Sequence, residues 1–332
     1  MKLERAGRLL LFEPWSLGDV VIAASVLREL PTSVALACHT QWHPILKSSI
    51  PERPDIELIG VDFSYTTRSR TSPFDNESAR SNVAGREFNL VLSIRGDPRD
   101  YAAARRLFPK ARIRMIGWVR FLAWKSALLN APFALGLARV QNRYRSWADL
   151  AGIPFPQIEQ TYRRLQTKAP VSGRIAIHIG AQWRSKQFPQ VAALRGALEA
   201  EGWEVAVLAG PNDPLPPDVQ EADVTRATGT ELVAQLKSVE EAITNDSCPM
   251  HLAAFLGCRT TVLVRTSPIE EWVPPMVNVI ASPSTPRGYR PHPDYMSDKV
   301  LPDWPTVDTI SERLQTRACA TGSGTELSAT AS

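Results

Sequence analysis

Short apolar runs of strand length alternate along this chain with helical stretches, and polar turns join them. That alternation restricts the fold to parallel sheets with helices on both faces. In the first half the pattern predicts strands at 8–12, 34–38, 56–60, 89–94 and 112–116. Helices are expected there at 19–29, 41–48, 99–107, 119–129 and 145–152. In the second half it predicts strands at 174–178, 204–209, 223–227, 239–243, 260–265 and 277–281, with helices at 188–201, 230–237 and 248–257. A chain of 332 residues exceeds the usual size of one core, so two α/β domains are expected. Pro154, Pro156 and Pro170 mark a boundary within 153–173. The expected division is 1–160, a linker at 161–173, a second domain at 174–300, a helical segment at 301–315 and a disordered tail at 316–332. Residues 62–86 read as a long polar loop with at most one helix.

Three strand-to-helix turns carry polar residues suited to chemistry. Leu9 to Phe12 runs into Glu13-Pro14-Trp15-Ser16-Leu17-Gly18-Asp19. Ile175 to Ile179 runs into Gly180-Ala181-Gln182-Trp183-Arg184-Ser185-Lys186-Gln187-Phe188-Pro189. Val239 to Ile243 runs into Thr244-Asn245-Asp246-Ser247-Cys248-Pro249-Met250-His251. In the third turn Asp246 and Ser247 are good N-caps, and Pro249 suits a first helical turn. The amides of that turn and the helix dipole can bind a phosphate, with His251 one turn further in. Each feature has a plainer reading as well. Asp19 can be an ordinary helix cap, Asp213 after Ala209-Gly210-Pro211-Asn212 an ordinary turn residue, and Lys186 a solvated cation.

In this order the three turns resemble those of glycosyltransferase family 9, the lipopolysaccharide heptosyltransferases. The resemblance spans residues 8 to roughly 280. It implies the GT-B fold, in which two Rossmann-like domains face each other across a cleft. It also implies inverting transfer of a sugar, heptose from ADP-heptose as first candidate, to a lipopolysaccharide or other surface-glycan acceptor. Asp19 is then the general base that takes the acceptor hydroxyl's proton. The donor diphosphate falls to Gly180, Ser185, Lys186, Asp246, Ser247, Cys248 and His251, and Asp213 lies near the ribose. Gly18, Arg95, Arg105 and Arg106 are the acceptor-side candidates. The chain departs from the family at Glu13 and Pro14, where a basic residue is usual. It departs again at Ile179, where Pro is usual, and at Cys248, where Gly is usual. A related nucleotide sugar, or binding without turnover, are the alternative functions.

Composition narrows the partners. Residues 1–165 hold 24 Lys and Arg against 15 Asp and Glu, a net of +9. Residues 166–332 hold 14 against 19, a net of −5. The excess concentrates at 95–145, with 12 basic and 2 acidic residues, which suits a phosphorylated glycolipid, a lipid headgroup, nucleic acid or simply a solvated face; the resemblance implies an anionic glycolipid or glycan and no nucleic acid. The chain lacks Gly-x-Gly-x-x-Gly, Walker A and Asp-x-Asp sequences, which weighs against dehydrogenases and P-loop enzymes and favours metal-free chemistry. The expected co-substrate is an ADP-sugar, with no resident cofactor. Cys38, Cys248, Cys258 and Cys319 show no paired or ligand spacing, as in a reducing compartment. A four-residue apolar run before Glu13 is too short for a signal peptide, so a cytoplasmic protein is expected. The apolar segment 116–138, with Trp118, Phe121 and Trp124, reads as a core helix or as a peripheral contact with the inner face of the membrane.

Overall fold

The computed structural model describes residues 8–30, 33–63, 77–115, 141–167, 172–181, 183–265, 269–282 and 303–326, the last ten of these and residues 77–78 by backbone only. The first sheet is built from β1 (Leu9–Phe12), β2 (Val34–Cys38), β3 (Glu57–Gly60), β4 (Leu90–Ser93) and β5 (Arg112–Met115), in the order β3-β2-β1-β4-β5. The second is built from β6 (Arg174–His178), β7 (Glu204–Ala209), β8 (Val224–Arg226), β9 (Glu241–Asn245), β10 (Arg259–Val264) and β11 (Asn278–Ala281), in the order β11-β10-β9-β6-β7-β8. All pairings are parallel. Both sheets are therefore doubly wound, and each reverses direction once, between β1 and β4 and between β6 and β9. In such sheets a crevice opens at the carboxyl ends of those two strands.

The helices are α1 (Leu17–Ala24), α2 (His43–Ser49), α3 (Glu77–Val83), α4 (Pro98–Leu107), α5 (Arg143–Leu150), α6 (Phe155–Gln166), α7 (Val191–Ala200), α8 (Gly229–Lys237), α9 (Cys248–Leu256), α10 (Ile269–Trp272) and α11 (Val307–Glu326). α1 has no polar face. Leu17, Val20, Val21, Ile22, Ala23 and Ala24 are all buried, because the helix lies between its own sheet and α9 of the other half. The largest core cluster joins Leu9, Leu11 and Trp147 of the first half to Leu236, Leu252 and Phe255 of the second. Burying each side chain of this size is worth about 1.5–3 kcal/mol, so the two halves share one continuous apolar seam. Arg28 closes its edge, with its guanidinium 4.0 Å from the Phe255 ring and bonded to the Phe255 carbonyl at 3.1 Å.

Three sequence expectations shift. Segment 153–173, read as a proline-rich linker, contains α6. Its prolines fall at the N-terminal end, where a missing N–H costs nothing, and Ile158, Thr161 and Tyr162 form a buried stripe. β9 starts and ends two residues later than 239–243, because its polar end is satisfied internally. Asn245 accepts from the Phe188 amide at 3.0 Å and donates to the Ile179 carbonyl at 2.9 Å. The terminal helix runs to Glu326 and not to Gln315. The helix expected at 119–129 lies outside the described residues, as does the apolar segment 116–138.

Candidate active site

The sheet reversals bring the three turns together. The turn after β1 carries Asp19, and the segment after β4 carries Arg95. The turn after β6 carries Gly180 and Lys186, and the turn after β9 carries Asp246. Gly18 is the point of closest approach. A Cβ there would lie 3.3 Å from Cδ2 of His251 and 3.7 Å from Cα of Cys248. The first and third turns are thus in direct contact, and a side chain at position 18 would press on the His251 ring, which would have to yield by a few tenths of an ångström.

Asp19 sits in the first turn of α1 but does not cap it. Ser16, at the N-cap, donates its hydroxyl to Asp19 Oδ2 at 2.8 Å, and Arg95 donates to the same oxygen at 3.0 Å. Burial alone would raise this carboxyl. Arg95, the Ser16 hydrogen bond, Arg143 and His251 outweigh it, so Asp19 stays below the usual carboxylate range and is ionised at neutral pH. Arg95 is itself held from behind. Its guanidinium stacks 3.9 Å from the Trp15 ring, and the Trp15 Nε1 donates to buried Asp100 at 2.9 Å. A small pocket, partly open to solvent, lies over this group and is lined by Glu13, Asp19, Ile22, Ile94, Arg95 and Arg143.

Across the cleft, Lys186 Nζ pairs with Asp246 Oδ2 at 2.5 Å. Ser247 occupies the N-cap of α9 without capping an amide; its hydroxyl donates to the Gly180 carbonyl at 3.1 Å and so ties two donor-side turns together. Met276 is the one non-glycine residue with positive φ among the described residues, so Cys248 keeps a negative φ and a first-turn N–H in an ordinary helical conformation. Its thiol is pushed up to about 12 by burial and by Asp19, which keeps it neutral. Ser185 offers its carbonyl to Arg265 at 2.9 Å. Asp213 accepts the Gly210 amide at 2.7 Å and packs against Gly180, where any Cβ would collide with its carboxylate. Arg226 braces that turn through the carbonyls of Gly210 and Asp213.

His251 is more enclosed than its position one turn into the helix suggested. It is buried, and its Nδ1 meets the Tyr144 hydroxyl of α5 at 2.9 Å. Burial lowers it to about 4 against the pull of Asp246 and Asp19, so a neutral ring separates the two carboxylates. Arg105 and Arg106 are not brought to the pocket. α4 begins at the cleft and runs back along its sheet, which carries Arg105 about 10 Å down the helix axis from Pro98. Both side chains are exposed at that far end. The sequence reading missed Trp15, Asp100, Arg143 and Tyr144. Trp15 was open to detection, since it lies inside the first turn; the other three are remote in sequence and carried no local signal.

Residues 151–291 match the family model of glycosyltransferase family 9 (heptosyltransferase). The match covers α6 and nearly all of the described part of the second sheet with its helices. The whole fold is similar to that of the E. coli heptosyltransferase WaaC with ADP-2-deoxy-2-fluoro heptose, at TM-score 0.60 and 15% identity over 93% of this chain and 99% of that one. It is also similar to E. coli ADP-heptose lps heptosyltransferase II, at TM-score 0.56 and 17% identity over 82% of this chain and 90% of that one. A family 9 glycosyltransferase from Veillonella parvula gives TM-score 0.56 at 16% identity over 83% and 87%. At these identities the likeness is one of fold, and the fold is GT-B. A sequence search of curated proteins finds no match. Among the described residues no three His, Cys, Asp or Glu side chains gather as metal ligands would, and no helix is long and apolar enough to cross a membrane.

Proposed function

We propose that this family 9-like glycosyltransferase is an inverting enzyme that moves a sugar from an ADP-sugar, heptose as first candidate, to a hydroxyl of a surface-glycan acceptor such as lipopolysaccharide. The observation that carries the reading is the contact of the first and third turns at Gly18. It sets an ionised carboxylate, Asp19, near Cys248 at the N-terminus of α9 and near His251, which also faces Asp246 and Lys186. The acceptor oxygen attacks the anomeric carbon as the bond from that carbon to the diphosphate breaks. The acceptor's proton passes to Asp19. Charge growing on the departing ADP is met by Lys186 and the first-turn amides of α9. Arg95 keeps Asp19 ionised and Ser16 fixes its orientation.

The donor nucleotide docks on the second half, where backbone amides outnumber side-chain charges at the turns. In this reading Asp213, which already accepts one amide, takes the ribose side of the donor. An anionic acceptor, expected from the charge of 95–145, draws no support at the pocket. Arg95 is paired with Asp19 and Arg143 with Glu271, and residues 116–140 lie outside the described set. The protein acts without a resident metal and in the cytoplasm, in this reading, because Lys186 and a helix terminus can supply the neutralisation that a cation gives elsewhere.

Two measurements test this. Calorimetric titration should show ADP binding that is lost when phosphates are removed, as adenosine alone should not bind. Transfer assays with a panel of nucleotide sugars should give turnover with ADP-heptose and inverted stereochemistry. Binding of ADP without turnover of any panel member would support the alternative of a nucleotide-sugar-binding protein.

A further inference from the structure

We propose that Glu13 is a specificity-determining residue of the acceptor subsite, where its carboxyl hydrogen-bonds an uncharged sugar hydroxyl beside the hydroxyl that Asp19 deprotonates. This rests on the reading of the pocket over Asp19 as the acceptor side. Glu13 extends β1, and its amide donates to the Ala37 carbonyl at 3.0 Å, so its backbone is fixed by the sheet. Its side chain is 2% exposed and lines the pocket. Oε1 is buried and has no hydrogen-bond partner among the described residues. Buried polar atoms are normally satisfied, so an unsatisfied one facing a pocket marks where a ligand group completes the set.

The chemistry of that group follows from the surroundings. The charged and titratable groups facing Glu13 are Asp19 on α1, Arg95 after β4, Asp100 on α4, Arg143 on α5 and the thiol of Cys38 at the end of β2. Arg95 is committed to Asp19 at 3.0 Å and Arg143 to Glu271 at 3.1 Å, so neither waits for Glu13. Burial, Asp19 and Asp100 push the Glu13 carboxyl well above its ordinary value, against the pull of the two arginines, which favours its protonated form. A neutral carboxyl both donates and accepts, as a hydroxyl does. A carboxylate or phosphate on the acceptor would instead meet the ionised Asp19 across the same pocket. Ile22 and Ile94 supply the apolar part of the lining, beside which an uncharged group is better placed than a charged one. A site built to pair a hydroxyl rejects analogues that lack it, because its own polar group is then left unpaired.

The test titrates ADP-saturated full-length protein, by ligand-observed NMR, with the methyl glycoside of a neutral heptose or hexose and with the matching methyl uronide. The neutral glycoside should bind wild type more tightly than the uronide. Glu13→Ala should weaken the neutral glycoside at least tenfold, Glu13→Gln should restore it to within about threefold of wild type, and Glu13→Lys should reverse the preference. ADP affinity should stay within twofold in all three. Thermal melting should not fall in Glu13→Ala, since the side chain removed contributes an unpaired oxygen, and this separates loss of binding from loss of fold. In transfer assays wild type should lose acceptor kcat/KM as pH rises and Glu13 ionises, and Glu13→Gln should flatten that alkaline limb. Equal binding of the neutral glycoside to wild type and Glu13→Ala, no binding of it to wild type, or a preference of wild type for the uronide each overturns the proposal. Failure of wild type to bind ADP would instead strike the donor assignment, and the glycoside titration without ADP would still decide the role of Glu13.

Discussion

The two sides of the cleft are built from the same topology but on opposite chemical plans. On the first-half side, side chains do the work. Asp19 is held by Ser16 and Arg95, Arg95 is stacked on Trp15, and Trp15 is anchored by Asp100. On the second-half side the chain presents more backbone: the N-terminus of α9 and the Gly180 turn, with Lys186 paired with Asp246. The difference matches the demands of the two substrates. A diphosphate is recognised well by fixed amides and a helix end, whichever side chains surround them. A hydroxyl that must lose a proton needs one carboxylate held in one place and one protonation state.

The sharpest way to break this comparison is Asp19→Asn. It keeps the first turn of α1 and its packing but removes the base, so kcat should fall about 10²–10⁴-fold while ADP affinity stays unchanged. Near-normal turnover would remove the asymmetry between the two sides. Next in size is Lys186→Ala, which should weaken ADP about tenfold, or about 1.4 kcal/mol, and slow transfer. Its effect should stay moderate, because the amides of α9 remain and because the loss also frees Asp246 from its pair. An unchanged ADP affinity would show that backbone alone holds the donor.

A smaller effect probes the locking of Asp19. In the proposed mechanism the ionised carboxylate is the active form, and its folded-state value lies below the ordinary one. Activity should therefore persist as pH falls through the usual carboxylate range and be lost only beneath it. Arg95→Gln removes the main group that lowers the value, so the acid limb of kcat/KM should move up. At pH 4.5 the variant should be about three- to tenfold less active than wild type, with a smaller gap at pH 7.5. An acid limb that does not move would mean that Arg95 serves another purpose. The smallest expected effect belongs to Arg105→Glu with Arg106→Glu. These residues sit at the end of α4 away from the cleft, so KM for both substrates should change less than twofold at moderate salt. A large rise in acceptor KM would show that the acceptor reaches well beyond the pocket.

The periodicity of apolar runs determined the fold class, both sheets and nearly every strand among the described residues, because a doubly wound sheet needs only correct patterning and order. It also located the three turns, since Gly18-Asp19, Ser185-Lys186 and Asp246-Ser247 are local signals within single strand-to-helix connections. It misread 153–173, where prolines at the first turn of α6 imitate a linker, and β9, whose polar end is paid for by Asn245 reaching two other segments. What only the tertiary structure decided were relations between distant residues. Lys186 meets Asp246 across 60 positions of sequence, Arg95 meets Asp19 across 76, and Tyr144 meets His251 across 107. Glu13 looked in the sequence like a lapse from the family pattern. Its burial, its unpartnered oxygen and its place beside Asp19 come from the closing of β4, α4 and α5 around the end of β1. Local pattern fixes secondary structure because its interactions span a few residues. The charge state and partners of a buried group depend on every element that packs against it, and those are chosen by the fold.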